Sequence, residues 1–203
     1  QSAGKKIVYL GDYIDLGDQS SKTLELQFQM SHERPDQVNC LMGNNEKMNR
    51  DFFFEQLDRG ANRMRNGGVK TLASYWITDV TAKLTPDRAL DISAAFEAAL
   101  PEGLLTWMRN LPLSWSSGNI WCVHAGMDPA SAPQAQNAKT LLWGHRDFLE
   151  QSREDGICVV HGHTIVAEPV NMNSRISIDT GAYNSGRLTA AYIAEGTCNF
   201  ITA

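Results

Sequence analysis

Four short polar motifs, each set directly behind a run of apolar and β-branched residues, constrain this chain more than any other feature of it. The apolar runs at 7–10, 38–42, 120–123 and 157–160 have the length and composition of strands. Behind them come Gly11-Asp12-Tyr13-Ile14-Asp15, Gly43-Asn44-Asn45-Glu46, His124-Ala125-Gly126 and His161-Gly162-His163-Thr164. Two more strand-like runs, 175–178 and 188–193, flank a Gly-rich stretch and predict a terminal hairpin. Helical spacing of apolar residues covers 20–30, 46–59, 86–99, 102–110 and 139–151, with Thr85 as N-cap and Pro86 in the first turn of the third. Strands alternating with helices predict an α/β (α+β) fold. The chain has 203 residues, 42% of them apolar, so residues 1–203 are expected to form one domain, and the helix-rich 51–110, free of polar motifs, is expected to be a cap.

At the carboxyl edge of an α/β sheet, strand ends distant in sequence meet, and ligands bind there. Asp12, Asn44, His124 and His163 are therefore candidates for a common centre. One carboxylate, one amide oxygen and two imidazoles suit a divalent transition metal, Mn, Fe or Zn, better than calcium or a thiolate-bound ion. Each motif alone has a plainer reading: a Gly-Asp or Gly-Asn pair is usually a turn or a cap, and a strand-end His usually a hydrogen-bonded structural residue. Their joint placement argues for function. The formal charge of −5 and pI near 5.5 supply no basic footprint, so neither nucleic acid nor a membrane surface is an expected partner. With no apolar run of about 18 residues and no basic leader, a cytoplasmic protein is expected. Four scattered cysteines read as free thiols.

Together the four motifs resemble those of calcineurin-like metallophosphoesterases, in the serine/threonine phosphoprotein phosphatase branch with its bacterial and bacteriophage lambda-like members. Leu141-Leu142-Trp143 and Ile178-Asp179-Thr180-Gly181-Ala182, followed by Gly186-Arg187-Leu188-Thr189, extend the likeness over most of the chain. The resemblance implies a β-sandwich flanked by helices and a two-metal site hydrolysing phosphomonoesters through a metal-activated water. It makes Asp12 the carboxylate shared by both metals and Asn44, His124 and His163 the remaining ligands of the second. The family's Asp-x-His for the first metal does not stand before Asp12, so at most one metal is expected. A domain lacking its first strand and helix is implied, open to self-association or to a complementing N-terminal segment.

Further departures concern the chemistry. Asn45 occupies the place of the family's general-acid His, and an amide cannot protonate a leaving group; such assistance is typically worth about 10²–10⁴-fold. Asp15 matches the carboxylate that would orient that His. Leu16 replaces a phosphate-clamping Arg. Trp143-Gly144-His145 replaces a Trp-x-Arg, leaving Arg146 one position displaced as the candidate phosphate ligand. His161 is expected to support the site from behind rather than to ligate. Plain structural roles are expected for Asp179 (a turn), His32 (a solvated helix end), Arg187, and Phe52, Phe53 and Phe54 (packing). Three functions follow: a phosphatase of phosphorylated proteins or small phosphate esters with impaired turnover, an inactive pseudophosphatase that binds a partner, or a dinucleoside polyphosphate hydrolase.

Overall fold

In the computed structural model the described residues are 4–54, 67–78, 80 and 85–203. The chain divides into two compact units, Gln1–Leu111 and Pro112–Ala203. In the first, strand β1 (Ile7–Tyr9) runs to helix α1 (Ser20–Glu33) and then to β2 (Val38–Cys40), which pairs parallel with β1 in the register Ile7 to Val38. This crossover brings the carboxyl ends of both strands to one edge. Helix α2 (Asn44–Phe54) begins immediately behind β2, and α3 (Val69–Ser74), α4 (Pro86–Ala99) and α5 (Leu104–Arg109) follow. The α4 start matches its sequence signal: Thr85 accepts from the Arg88 N–H at 3.3 Å, with Pro86 in the first turn. Leu72, Tyr75, Ala89, Ile92 and Phe96 form its buried cluster, with Tyr75 and Phe96 edge to face at 5.1 Å. Residues 55–66 of the expected cap and of the second helix lie outside the described residues, as do the side chains of Phe52, Phe53 and Phe54.

In the second unit, a five-stranded sheet has the order β3 (Ser114–Ser117), β4 (Ile120–Val123), β5 (Cys158–His161), β7 (Arg175–Ser177), β6 (Val170–Met172). The central three strands are parallel, and the outer two are antiparallel additions. Parallel strands are covered on both faces, which is why the apolar runs of β4 and β5 were continuous rather than alternating. Val123, Met127, Leu141, Phe148 and Val159 form the buried cluster on this sheet.

Strands β8 (Thr189–Ala194) and β9 (Thr197–Thr202) make a separate hairpin. Its turn, Glu195-Gly196, has φ of +50° and +76°, and the β6–β7 turn, Asn173-Ser174, has +54° and +60°; both residues positive is the type I′ signature. The expected pairing of 175–178 with 188–193 is therefore corrected. Each of those runs pairs with a different strand, because the Gly181 to Gly186 stretch folds into the short helix α7 (Ala182–Ser185), bracketed by glycines in the left-handed region.

The helix expected over 139–151 is also shorter. Helix α6 (Ala138–Trp143), capped by the Asn137 side chain at 2.9 Å from Thr140 N, stops where Gly144 adopts φ +83°. Among the described residues no helix is long and apolar enough to cross a membrane. The four cysteines are unpaired, Cys40 and Cys122 buried and Cys158 and Cys198 half-buried.

Candidate metal centre

At the strand ends of the first unit the chain turns sharply. Gly11 has φ +99°, and Asp12 (φ +58°) and Asp15 (φ +90°) sit in the left-handed region that side chains avoid. What holds the loop at Asp12 and Tyr13 is Glu46, fully buried, in the first turn of α2. Its carboxylate accepts from the backbone N–H groups of Asp12 (2.8 Å), Tyr13 (2.8 Å) and Gly43 (2.9 Å). The bond back to Gly43 is one half of a capping box, and the other two bonds fasten the β1 loop to the start of α2. Burial, then the neighbouring Asp12 charge, pushes Glu46 up to about 8 against the pull of those three donors. The loops touch without intervening side chains. A Cβ on Gly11 would lie 2.5 Å from Gly43 N, and one on Gly43 would lie 2.3 Å from Asp12 Oδ1.

Asp12 is exposed at this edge, its Oδ1 accepting from the Asn45 N–H at 3.1 Å. Asn44 and Asn45 are buried, and their carboxamides are linked, Asn44 Nδ2 donating to Asn45 Oδ1 at 3.3 Å. Asn45 Nδ2 in turn donates to the Ile14 carbonyl at 3.1 Å. Asp15 is fully buried and turned toward α3. Its N–H donates to Thr71 Oγ1 (2.9 Å), and the Thr71 hydroxyl donates to its Oδ1 (2.6 Å).

The second unit carries the imidazoles. His124 follows β4 and is 2% exposed; His163 follows β5 with φ +62°, half-buried, its ring 5.1 Å from that of His124 at an interplanar angle of 63°. The loops are tied by Gly162 N–H donating to the His124 carbonyl at 2.8 Å. Burial, then the nearby His124, shifts His163 below the ordinary histidine range. Trp143 stands edge-on to His163 at 6.1 Å.

His161 is fully buried and faces away from such a role: its Nε2 shares a 2.7 Å bond with Ser177 Oγ and its Nδ1 lies 3.1 Å from the Gly162 carbonyl. Burial pushes it down to about 4. The Phe148 ring lies edge-on to it at 4.9 Å, and a Cβ on Gly126 would sit 2.6 Å from that ring. Asp12 and Asn44 in the first unit offer a carboxylate and an amide oxygen, and His124 and His163 in the second offer two imidazoles, donor types that suit a divalent transition metal.

The calcineurin-like phosphoesterase family matches residues 2–186. The chain belongs to that family. A bis(5'-nucleosyl)-tetraphosphatase PrpE [asymmetrical] from Anoxybacillus flavithermus is 26% identical over 95% of this chain and 77% of its own length. The protein of the same name from Oceanobacillus iheyensis is 26% identical, over 96% and 76%. In fold the chain is similar to a protein serine/threonine phosphatase from Saccharomyces cerevisiae, with a TM-score of 0.59 and 15% identity, covering 98% of this chain and 69% of that one. The protein is thus a metallophosphoesterase of mixed α/β fold, in a family that works with metals.

The positions that the resemblance linked to phosphate lie at or near the surface. Leu16 is exposed. Arg146 follows the Gly144 break instead of continuing a helix; its side chain is 89% exposed and lies 3.5 Å from Asp147. His145 also faces Asp147, at 3.8 Å.

The plainer residues take structural places. Asp179 accepts from Gly181 N at 2.9 Å in a turn, His32 bonds the Phe28 carbonyl at an exposed helix end, and Arg187 makes a forked pair with Glu168 at 3.0 and 3.1 Å. Two further residues shape the strand-end loops of the first unit, Glu46 and Thr71. Glu46 was readable from its capping-box spacing behind Gly43. Thr71 was not, since nothing local links it to Asp15 across 56 positions.

Proposed function

We propose that this chain is a metal-dependent hydrolase of phosphate compounds whose leaving group is already a weak base, with dinucleoside polyphosphates as its substrate class. Asp12, Asn44, His124 and His163 would hold the metal. Bound there, a divalent ion would supply Lewis-acid stabilisation of phosphoryl charge and a more acidic water.

The observation that carries the proposal is Asn45. It stands at the general-acid position, buried, with its carboxamide engaged by Ile14 and Asn44. It can donate hydrogen bonds but cannot surrender a proton near neutral pH, so a departing serine alkoxide goes unassisted. A nucleoside polyphosphate leaves as a stable anion and needs little help. Asp15, whose matched role is to orient the absent imidazole, is instead committed to Thr71. The activity for which the two bacterial relatives are named agrees with this choice of substrate. A second reading, a pseudophosphatase, is favoured by Leu16, which offers hydrocarbon where an Arg would bind phosphate.

The test is a substrate panel on the full chain with added Mn²⁺: a dinucleoside tetraphosphate, p-nitrophenyl phosphate and a phosphoserine peptide. The first two are expected to be hydrolysed and the peptide barely. With Mn²⁺ raised until each variant is saturated, Asn45→His is expected to raise the peptide rate relative to the other two substrates by about 10²-fold or more. A wild-type peptide rate equal to the rest would contradict the proposal, and bound metal with no turnover of any substrate would favour the pseudophosphatase.

A further inference from the structure

Asn45 does more than lack a proton. A backbone carbonyl can only accept, so the Ile14 carbonyl fixes Asn45 with its nitrogen toward β1's loop and its oxygen toward Asn44. That oxygen then fixes Asn44, whose Nδ2 must face it. Turning the Asn44 carboxamide over would set two oxygens against each other. The two residues are 7% and 5% exposed, so water is poorly placed to relieve the clash. Left to itself, an asparagine's terminal torsion is broad and roughly two-fold, and half of its orientations would turn NH₂ rather than oxygen to a cation.

We infer that Asn45 is a positioning residue for the metal: through the chain Ile14 carbonyl, Asn45, Asn44, it locks the Asn44 carboxamide with its oxygen as the end offered to the ion. The inference rests on the reading of Asn44 as a metal ligand. It gives the substituted position a use of its own. Asn45's backbone N–H meanwhile holds Asp12 Oδ1 at 3.1 Å, a bond that side-chain substitution leaves in place. One residue thereby steadies two of the proposed ligands, and only the Asn44 arm depends on its carboxamide.

The test is Mn²⁺ titration of the full chain, read as free Mn²⁺ by electron paramagnetic resonance, for wild type, Asn44→Ala, Asn45→Ala and the double variant. Loss of an outer partner of a metal ligand typically weakens binding about 10–100-fold. Asn45→Ala is expected to fall in that range, and the double variant to bind no more weakly than Asn44→Ala alone, because Asn45 acts through Asn44. Wild-type affinity in Asn45→Ala beside a weakened Asn44→Ala overturns the inference while leaving Asn44 a ligand, and so do additive losses. Wild-type affinity in Asn44→Ala removes the ligand reading itself. A measurement on the unmutated chain covers an Asn45→Ala that does not fold. In ¹⁵N-edited spectra the Asn44 carboxamide protons are expected to exchange slowly with water, and exchange as fast as that of an exposed asparagine overturns the inference.

Discussion

Replacing Gly43 with Ala isolates the contact on which the Asp12 loop depends. The added methyl would lie 2.3 Å from Asp12 Oδ1, 2.4 Å from Asp12 N and 2.7 Å from Glu46 Oε2, where ordinary contact begins at 3.4 Å. Gly43 is not in the positive-φ region, so no torsional strain is added and the effect is steric alone. The β1 loop and the start of α2 must separate by on the order of 1 Å, a displacement that van der Waals contacts and hydrogen bonds both register. Three of the hydrogen bonds across that gap are made by the two carboxylates the methyl would strike, from Asp12 N and Tyr13 N to Glu46 and from Asn45 N to Asp12. At about 1 kcal/mol each, and up to about 3 where a buried partner is left unmet, their loss predicts a destabilisation of roughly 3–6 kcal/mol.

That is a large share of the roughly 5–15 kcal/mol that holds a domain folded. Gly17→Ala is the control: nothing lies within 4 Å of its Cβ and its φ is not positive, so a change within about 0.5 kcal/mol is expected. Urea unfolding followed by tryptophan fluorescence measures both variants, and Mn²⁺ titration of the folded protein should show Gly43→Ala weakened by more than about tenfold. A Gly43→Ala variant as stable as Gly17→Ala, with wild-type Mn²⁺ affinity, would refute the close approach and the placement of Asp12 that follows from it.

Thr71→Val keeps the shape of a fully buried side chain while removing a hydroxyl that both accepts from and donates to Asp15. A loss of about 1–3 kcal/mol is expected in thermal unfolding, and an unchanged melting temperature would show that Asp15 is held by other means. Stability should also fall on acidification through His161. Its folded value of about 4 lies below the unfolded 6.5, so between those values the unfolded chain binds the extra proton, and stability falls as pH drops from about 6.5 toward 4. The gap corresponds to roughly 3 kcal/mol for this fully buried ring. His161→Gln should flatten the metal-free chain's stability profile across that window; an equally steep profile in the variant would assign the acid sensitivity elsewhere.

The parts of this protein visible in its sequence are those with a local physical signal. Strands β1, β2, β4, β5 and β7 were legible as β-branched runs followed by polar turns, and α4 by its Thr-Pro start. Strand β3 was not, since Ser-Trp-Ser-Ser has one apolar residue to mark it, nor was β6, an exposed edge strand with no face to bury. The terminal hairpin was misassigned because Gly181 and Gly186 read as turn residues but bracket a helical turn. At the site, Asp12, Asn44, His124 and His163 could be singled out as candidates because each follows a strand. The supports could not: Gly43 and Gly11 are required by a backbone approach between loops some 30 positions apart, and Asp15 is met by Thr71 from a helix that carries no motif.

The most direct measurement is anomalous diffraction at the manganese edge from crystals of the full chain grown with Mn²⁺. A metal is expected within about 2.0–2.2 Å of donor atoms from Asp12, Asn44, His124 and His163. A metal bound only by other residues, or none while those four side chains stay apart, would contradict this expectation.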